Sequence, residues 1–268
     1  MSVARFAVVA VLILSFAFLA ACKDNDADEK RTSTAGTSAQ GGSQVSAPAG
    51  DEDDENPAEA AGAAAEAQAP LQAAGQQLVY SFDSDSAGRL PQKFHSALTG
   101  SGVESKWVVM ADPTAPSRPN VIAQTSTDKT DYRFPLLIAD EGSFRDLDLS
   151  VQFKAVSGGI DRAGGLVFRL RDPNNYYIVR ANALENNYRL YHVVNGRRSQ
   201  FAGANLKVTS GEWHALRLEV VGNKITCYYD GKKKIEATDD TFKDAGKIGL
   251  WTKADSVTYF DDLKATAK

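Results

Sequence analysis

Three arginines lie in the middle of three consecutive segments that alternate as strands do. They are Arg169 in GLVFRLR, Arg180 in YYIVRAN and Arg189 in NYRLYHVV. Because successive side chains of a strand point to opposite faces, an aligned register would place these guanidiniums on one sheet face. Adjacent cations repel one another, so such a ladder indicates a hydroxyl-rich ligand, with an acid such as Glu185 facing it. The alternative is a solvated outer face whose charges are screened.

The segment between the last two arginines, residues 182–187, is rich in amides and contains one carboxylate. Amide and carboxylate groups suit the bidentate hydrogen bonding of sugar hydroxyls, which makes Asn182 a candidate ligand-binding residue. The same segment favours a turn, because Asn tolerates left-handed backbone. Farther along, Trp251 and Lys253 share one face of LWTK. This pair suits stacking on a pyranose ring, although a lone Trp in a β-sandwich is more often a core residue.

Two groups of acids could offer oxygen ligands to calcium. One is Asp161 in DRAGG, and the other comprises Asp255, Asp261 and Asp262. Neither has the dense alternating spacing of a calcium loop, and no His or Cys cluster has zinc spacing. The sequence therefore predicts no metal site and no cofactor, with calcium as the weaker alternative.

The elements that would position these residues are strands. Residues 77–268 contain all three Trp and all nine Tyr, in short β-branched and aromatic runs bounded by turns such as Asn195-Gly196 and Asp230-Gly231. The predicted strands are 78–82, 106–110, 120–125, 147–154, 165–171, 176–182, 187–194, 197–203, 213–221, 224–229, 232–237, 247–253 and 256–265. Many short strands joined by tight turns predict one all-β domain, an antiparallel β-sandwich or jelly roll.

The amino-terminal segment predicts export. Residues 6–20 form an apolar run that is short for a membrane span, between Arg5 and the sequence Leu19-Ala20-Ala21-Cys22. This pattern is typical of a secretory signal peptide. With Cys as its last residue, the segment resembles the bacterial lipoprotein signal. The resemblance implies a signal peptide at 1–21, a lipidated Cys22 and a membrane-anchored cell-envelope protein. Lys23 in place of Asp favours the outer membrane, with the domain facing the periplasm or the cell surface; an uncleaved anchor is the alternative.

Residues 22–76 are predicted to be a disordered linker. From Lys23 to Gln76 the chain has three basic and eleven acidic residues, a net charge of −8 (3 − 11), and almost nothing to bury. Residues 77–268 have 26 basic and 23 acidic residues, a net charge of +3 (26 − 23), which are scattered rather than banded. Nucleic acid is therefore not an expected partner. With Cys22 lipidated, Cys227 in KITCYYDG would be an unpaired, buried structural thiol.

Four segments together resemble the concanavalin A-like lectin/glucanase superfamily, and more narrowly the bacterial 3-keto-disaccharide hydrolase domain family. They are Asp161 to Tyr191, Trp213-His214, Tyr228 to Gly231 and Gly249 to Val257. The resemblance covers roughly residues 78–266 and implies two curved antiparallel sheets with a concave face that often meets carbohydrate. Retaining glucanases carry alternating Glu and Asp residues on one strand, a run that this sequence lacks. No catalytic residue is transferred.

The family name implies a ketone at sugar C3, which acidifies the C2 hydrogen. One base, with a cation at the ketone oxygen, could then start elimination of the C1 substituent. Glu185 or His192 would be the base, and Arg169 or Arg180 the electrophile. Carbohydrate binding without turnover is the preferred hypothesis. A hydrolase or lyase for 3-keto-glycosides and a non-catalytic structural or protein-binding envelope module are the alternatives.

Overall fold

The computed structural model describes residues 70–268. The predicted signal segment, Cys22 and most of the predicted linker lie outside the described residues. The strands are β1 (Gln77–Tyr80), β2 (Phe94–Gly100), β3 (Trp107–Ala111), β4 (Asn120–Gln124), β5 (Arg133–Ala139), β6 (Leu147–Ser157), β7 (Ala163–Asp172), β8 (Asn175–Asn182), β9 (Asn187–Val194), β10 (Arg197–Asn205), β11 (His214–Val221), β12 (Lys224–Tyr229), β13 (Lys232–Thr238), β14 (Lys247–Thr252) and β15 (Val257–Ala267). In this part of the chain, no helix has the length and apolar character needed to span a membrane.

The strands form two antiparallel sheets. The eight-stranded sheet has the order β13-β12-β11-β6-β15-β4-β3, and β1 pairs with β15 beside this path. The seven-stranded sheet has the order β10-β9-β8-β7-β14-β5-β2. The sheets pack face to face as a β-sandwich of the jelly-roll type. The predicted concanavalin A-like all-β fold class is confirmed.

The main core lies between the two sheets and follows strand alternation. In β6, the buried residues Leu147, Leu149 and Phe153 point inward, whereas Asp148 and Gln152 between them are less buried and point outward. The inward residues of the seven-stranded sheet include Phe168 and Tyr177, whose rings stack at 5.1 Å. Burial of these alternate apolar side chains supplies the main driving force for packing one sheet on the other.

A second apolar cluster covers the outer face of the seven-stranded sheet. Its buried members are Phe134, Leu136, Ile138, Ala163, Val167, Leu170, Tyr176, Ile178, Tyr191, Val193 and Trp251. The central strands of this sheet are therefore buried on both faces, which explains why all seven residues of β5 are buried. The outer cluster forms the floor on which the polar residues of this face are arranged.

A bulge in β7 interrupts its alternation at Arg169. Phe168 pairs with Tyr177 and Asp172 pairs with Asn175, so residues 169–171 oppose a single residue of β8. Arg169 has a φ of 46°, which is unusual for a residue with a side chain. The bulge turns Leu170 onto the outer face. Strict alternation of GLVFRLR would predict that Leu170 shares a face with Leu166 and Phe168, and the bulge makes that prediction wrong.

Backbone pairing with the sandwich begins before residue 77, where the sequence analysis ended the linker. The Gln72 N–H donates to the Ser143 carbonyl at 2.9 Å, and the Gly75 N–H donates to the Ala267 carbonyl at 2.9 Å. The Ala267 N–H in turn donates to the Gln76 carbonyl. A fragment that starts at residue 77 would lack these contacts.

Candidate functional site

Arg180 and Arg189 lie directly opposite each other in β8 and β9, with both side chains on the outer face. On its other side, each arginine has a glycine as its cross-strand neighbour. Gly165 of β7 pairs with Arg180, and Gly203 of β10 pairs with Arg189. A Cβ at Gly165 would lie 2.9 Å from the Arg180 Cβ, and one at Gly203 would lie 2.5 Å from the Arg189 Cδ. The two glycines therefore leave the space that the two arginines occupy.

Arg180 is buried, and three side chains hold its guanidinium. It donates to Asn187 Oδ1, to Glu185 Oε2 at 2.9 Å and to the Tyr191 hydroxyl at 2.9 Å. Its Nε has no partner among the described residues. Burial lowers the pKa of Arg180, but the Tyr191 phenol and the Asp161 and Glu185 carboxylates outweigh burial, so the net shift is upward. Arg180 therefore stays charged.

Asp161 is a buried carboxylate just before β7. Its Oδ1 accepts hydrogen bonds from the following backbone N–H and from the Asn182 amide, each at 2.8 Å. Its Oδ2 accepts no hydrogen bond from residues 70–268 and lies 3.4 Å from Lys253 Nζ, which is 2.7 Å from Asp131 Oδ1. Burial raises the pKa of Asp161, against the lowering effect of the nearby cations. This position therefore combines an unused buried acceptor with a cation.

Glu185 lies in the β8–β9 turn at the rim of the same site, with 46% of its side chain exposed. Its Oε2 accepts hydrogen bonds from Arg180 and from the Asn187 amide, both at 2.9 Å. Burial raises the pKa of Glu185, but Arg180 and Asn187 outweigh it, so the pKa lies below its ordinary value. Glu185 is therefore an ionised hydrogen-bond acceptor at neutral pH.

Trp251 belongs to the floor of this site rather than to its exposed wall. The indole is fully buried and stacks on Phe134 at 5.4 Å. The Arg198 guanidinium lies over Trp251, Phe134 and Tyr191, at 5.7, 4.9 and 4.5 Å from the ring centroids. Arg198 Nη1 is buried and has no partner among the described residues. The expected open Trp platform for a sugar ring is therefore absent from the described conformation.

Five charged residues of this face are called the charged cluster from here on. They are Asp161, Arg180, Glu185, Arg198 and Lys253. Lys253 Nζ lies 3.4 Å from Asp161 Oδ2, Glu185 accepts from Arg180, and the Arg180 and Arg198 guanidiniums both border the Tyr191 ring. Four strands supply the charged cluster: the ends of β7, β8 and β14 with their adjoining loops, and the edge strand β10.

Arg169 lies outside the charged cluster, so the predicted three-arginine ladder is wrong at this residue. Its guanidinium donates to three backbone carbonyls, those of Arg145 at 2.8 Å, Phe242 at 2.8 Å and Gly222 at 2.6 Å. The regular part of the β7–β8 ladder places Gly165, not Arg169, opposite Arg180, and the bulge described above then takes Arg169 out of the alternation. Arg169 ties three loops together.

His192 is also placed away from Glu185, the other candidate base. It alternates with Tyr191 in β9 and therefore faces the opposite side of the sheet. Its ring stacks on Phe201 at 5.5 Å, and its Nδ1 lies 3.4 Å from Asp239 Oδ2. The structure thus does not bring the two candidate bases to one site.

Asn182 lies beneath the site and holds its neighbouring residues in place. It is fully buried, and its Oδ1 accepts hydrogen bonds from the backbone N–H groups of Leu184 at 2.8 Å and Glu185 at 3.2 Å. Its amide holds Asp161. Asn182 therefore closes the turn that carries Glu185, in agreement with the turn interpretation of residues 182–187.

Two of the acids considered for calcium, Asp255 and Asp261, are engaged mainly by backbone donors. The Asp255 carboxylate accepts hydrogen bonds from the N–H groups of residues 159–161, and Asp261 accepts them from Ser117 and Asp262. Within residues 70–268, no group of three or more His, Cys, Asp or Glu side chains is arranged to hold a metal ion. Calcium dependence stays untested. Cys227 is buried, and burial raises the pKa of its thiol.

Sequence reasoning missed three residues of this face: Asp131, Tyr191 and Arg198. Tyr191 shares a strand face with Arg189, and this alternation is a signal that could have singled it out. Arg198 lies just after the Asn195-Gly196 turn, and only the packing of its side chain over three rings reveals its place. The Tyr132 hydroxyl fixes this hairpin, donating to the Gly196 carbonyl at 2.6 Å and accepting from the Arg198 N–H at 3.1 Å.

Comparison with known protein families identifies the family of this chain. Residues 96–266 match the family described as the 3-keto-alpha-glucoside-1,2-lyase-like domain, and the protein belongs to that family. The predicted narrower resemblance is thereby confirmed. No curated protein matches the sequence.

Among solved structures, the protein is similar to the carbohydrate-binding module CBM66 from Bacillus subtilis. The two share 19% identity and a TM-score of 0.52, over 64% of this chain and 95% of the module. A putative glycosyl hydrolase from Parabacteroides distasonis shares 16% identity and a TM-score of 0.42, over 60% and 90% of the two chains. Domain 4 of the arabinanase AbnA from Geobacillus stearothermophilus shares 14% identity and a TM-score of 0.46, over 73% and 94%. At 19% identity, the likeness to CBM66 shows a shared fold and no more. The TM-scores of the other two structures are too low to support an inference.

Proposed function

We propose that the outer face of the seven-stranded sheet binds a carbohydrate through the charged cluster. The observation that carries this proposal is a group of buried polar atoms without partners: Asp161 Oδ2, Arg180 Nε and Arg198 Nη1. Buried polar groups in folded proteins nearly always have a hydrogen-bond partner, and leaving one unpaired costs about 1–3 kcal/mol. Three such atoms on one face indicate that a polar ligand or ordered water completes the site.

The chemistry of these atoms fits sugar hydroxyls. A hydroxyl both donates and accepts, so it can donate to Asp161 Oδ2 while a neighbouring hydroxyl accepts from Arg180 or Arg198. Glu185 and Lys253 add an acceptor and a donor at the rim. The membership in a family named for a glucoside-processing activity, and the fold shared with a carbohydrate-binding module, agree with this class of ligand.

A glycan array probed with the full chain tests the proposal. We expect at least one glycan to bind, and Glu185→Gln and Arg180→Met to weaken that binding at least tenfold. Glu185→Gln is included because Glu185 is half exposed and the Gln amide oxygen can still accept a hydrogen bond from the buried Arg180. Lys243→Met is the matched control, since Lys243 is largely exposed and pairs only with Asp240.

Two outcomes would contradict the site or the ligand class. Binding that survives both cluster variants would place the sugar elsewhere on the molecule. If no glycan binds, a structural or protein-binding envelope module with a solvated arginine face becomes the better account.

Catalysis on a 3-keto-glycoside is the second candidate, favoured by one observation: Asp161 Oδ2 is an unpaired acceptor 3.4 Å from a lysine. Burial raises the pKa of Asp161, which strengthens it as a base. In this reaction, the Asp161 carboxylate would take the C2 proton. The C–H electron pair would then form the C1=C2 double bond as the C1–O bond breaks, and the departing alkoxide would take a proton from water. Lys253 would stabilise the charge that develops on the ketone oxygen.

The test is incubation of the full chain with a 3-keto-disaccharide, with and without a chelator, while release of the second sugar is followed. Turnover that Asp161→Asn abolishes, and that Glu185→Gln and His192→Ala leave in place, would support Asp161 as the base. Turnover unchanged by Asp161→Asn would reject it. No release from any keto-glycoside would leave a binding domain.

We propose in addition that the domain is displayed on the cell envelope, in the outer membrane, by a lipid on Cys22. The support is the lipoprotein-like segment 1–22 and Lys23 after it, while the acidic residues 23–69 would separate the domain from the membrane. Mass spectrometry of the native protein should find an acylated Cys22 at the amino terminus. An intact Met1, or a free Cys22 thiol, would contradict this.

A further inference from the structure

On the outer face of the seven-stranded sheet, some cations pair with an acid and others do not. Arg180 pairs with Glu185, and Lys253 pairs with Asp131 and Asp161. Arg198 has no acidic partner among the described residues. Arg189 has none there either, and its guanidinium donates to the neutral Asn205 Oδ1 at 2.7 Å. Two guanidiniums on this face are therefore free to meet an anion.

The charges of the face do not balance. Its cations are Arg180, Arg189, Arg198 and Lys253, and its carboxylates are Asp131, Asp161 and Glu185, which leaves one positive charge in excess (4 − 3). Like charges placed side by side on a sheet are unfavourable, and an anionic ligand would relieve this repulsion.

Arg198 is the guanidinium best placed to receive an anion. Its contact with three aromatic rings fixes the plane of the group, and its buried Nη1 has no partner. Arg180 borders the same Tyr191 ring, with its guanidinium carbon 5.5 Å from the centroid against 4.5 Å for Arg198. A planar guanidinium with a free edge matches the two oxygens of a carboxylate.

We propose that the carbohydrate bound on this face is acidic, with a carboxylate on its sugar ring, and that Arg198 binds this carboxylate. The proposal rests on the carbohydrate binding proposed above and adds the ligand class and its selecting residue. Asp161 Oδ2 provides the acceptor for a hydroxyl of the same sugar. A uronic acid residue carries both groups, whereas a neutral hexose carries only the hydroxyls.

The experiment compares the affinities of the full chain for oligogalacturonate and oligoglucuronate with those for the matched neutral oligosaccharides of galactose and glucose. We expect an acidic ligand to bind at least tenfold more tightly than its neutral match, with a preference that falls as salt rises. Arg198→Met should remove the preference, and Arg198→Lys should restore it only in part, because Lys keeps the charge without the planar fork. Arg197→Met is the control, since Arg197 is exposed and points to the opposite side of β10.

The outcomes separate this inference from the proposed function. Equal affinity for acidic and neutral oligosaccharides would overturn the acidic ligand and leave carbohydrate binding intact. A preference that Arg198→Met leaves unchanged in a folded protein, checked by its circular dichroism spectrum, would overturn the role of Arg198. Binding of neither class to the wild type would overturn the acidic ligand, and the glycan array would still decide the proposed carbohydrate binding.

Discussion

Gly165 faces Arg180 across β7 and β8, and the two residues share one space on the outer face of the sheet. A Cβ added at Gly165 would lie 2.4 Å from the Val179 carbonyl oxygen and 2.9 Å from the Arg180 Cβ. Real Cβ atoms do not approach other atoms so closely, and one of the atoms in this contact is backbone. The conformation of the buried arginine thus depends on the glycine beside it.

Substituting alanine at Gly165 is expected to destabilise the protein and to weaken ligand binding together. Overpacking of a well-packed interior costs about 1–3 kcal/mol, and denaturant unfolding would measure it. Gly159→Ala is the control, because its added Cβ would find its nearest neighbour, Asp255 Oδ2, at 3.7 Å. Equal stability of the two variants would show that β7 can move away from β8 without cost.

Arg169 should matter for stability and not for ligand affinity. Arg169→Met would leave the carbonyls of Arg145, Gly222 and Phe242 without their donor. The bond to Phe242 is buried and the other two are part-buried, so at about 1–3 kcal/mol for a buried unsatisfied group we expect a loss of about 1–3 kcal/mol in the free energy of unfolding. Arg171→Met, at a side chain that is 45% exposed, should change it by less than about 0.5 kcal/mol.

The second half of this prediction concerns binding. Below its unfolding temperature, Arg169→Met should keep the wild-type affinity for any glycan that the protein binds. A selective loss of affinity in the folded variant would return Arg169 to the site.

Asp261 should give stability a distinct dependence on pH. Burial raises the pKa of Asp261 to about 6, with Asp262 adding to the shift and the Ser117 hydrogen bonds opposing it. Since the folded state holds this proton more tightly than the unfolded chain, where the pKa is about 3.9, the contribution of Asp261 to stability falls as pH rises from about 4 to about 6.

Asp261→Asn removes this titration. The difference in unfolding free energy between wild type and variant should therefore decline with pH across that window, by on the order of 1–3 kcal/mol. Urea unfolding at pH 4, 5, 6 and 7 would measure it, with the largely exposed Asp244→Asn as the control. A difference that stays constant with pH would mean that the folded Asp261 titrates as it does in the unfolded chain.

Within residues 70–268, the sequence predicted thirteen of the fifteen strands and missed β2 and β5. In β5 every residue is buried, so its run RFPLLIA shows no alternation and contains Pro135, which argues against a strand. In β2 small residues interrupt the pattern. Both strands belong to the seven-stranded sheet, where the second apolar cluster removes the contrast between an inner and an outer face.

The sequence predicted the site residues whose positions depend on local strand register. It did not predict the positions that depend on packing between segments far apart in the sequence. Arg180 and Arg189 share a face because alternation and a tight turn fix their pairing. Arg169 does not, because Gly165 lies opposite Arg180 and a bulge follows at Arg169, which packs against the distant Gly246. A Cβ there would lie 2.5 Å from the Arg169 carbonyl carbon. The burial of Trp251 under Arg198 depends on residues more than fifty positions apart, which no local pattern reports.

The central claim is that carbohydrate binds to the outer face of the seven-stranded sheet, at the charged cluster. Its most direct test is a crystal structure of the protein with a glycan that a binding screen identifies. Our account predicts sugar density on β8, β9 and β14, with hydroxyls within hydrogen-bonding distance of Asp161 Oδ2 and of the Arg180 or Arg198 guanidinium. Sugar bound on the eight-stranded sheet, or at the loops that Arg169 joins, would contradict it.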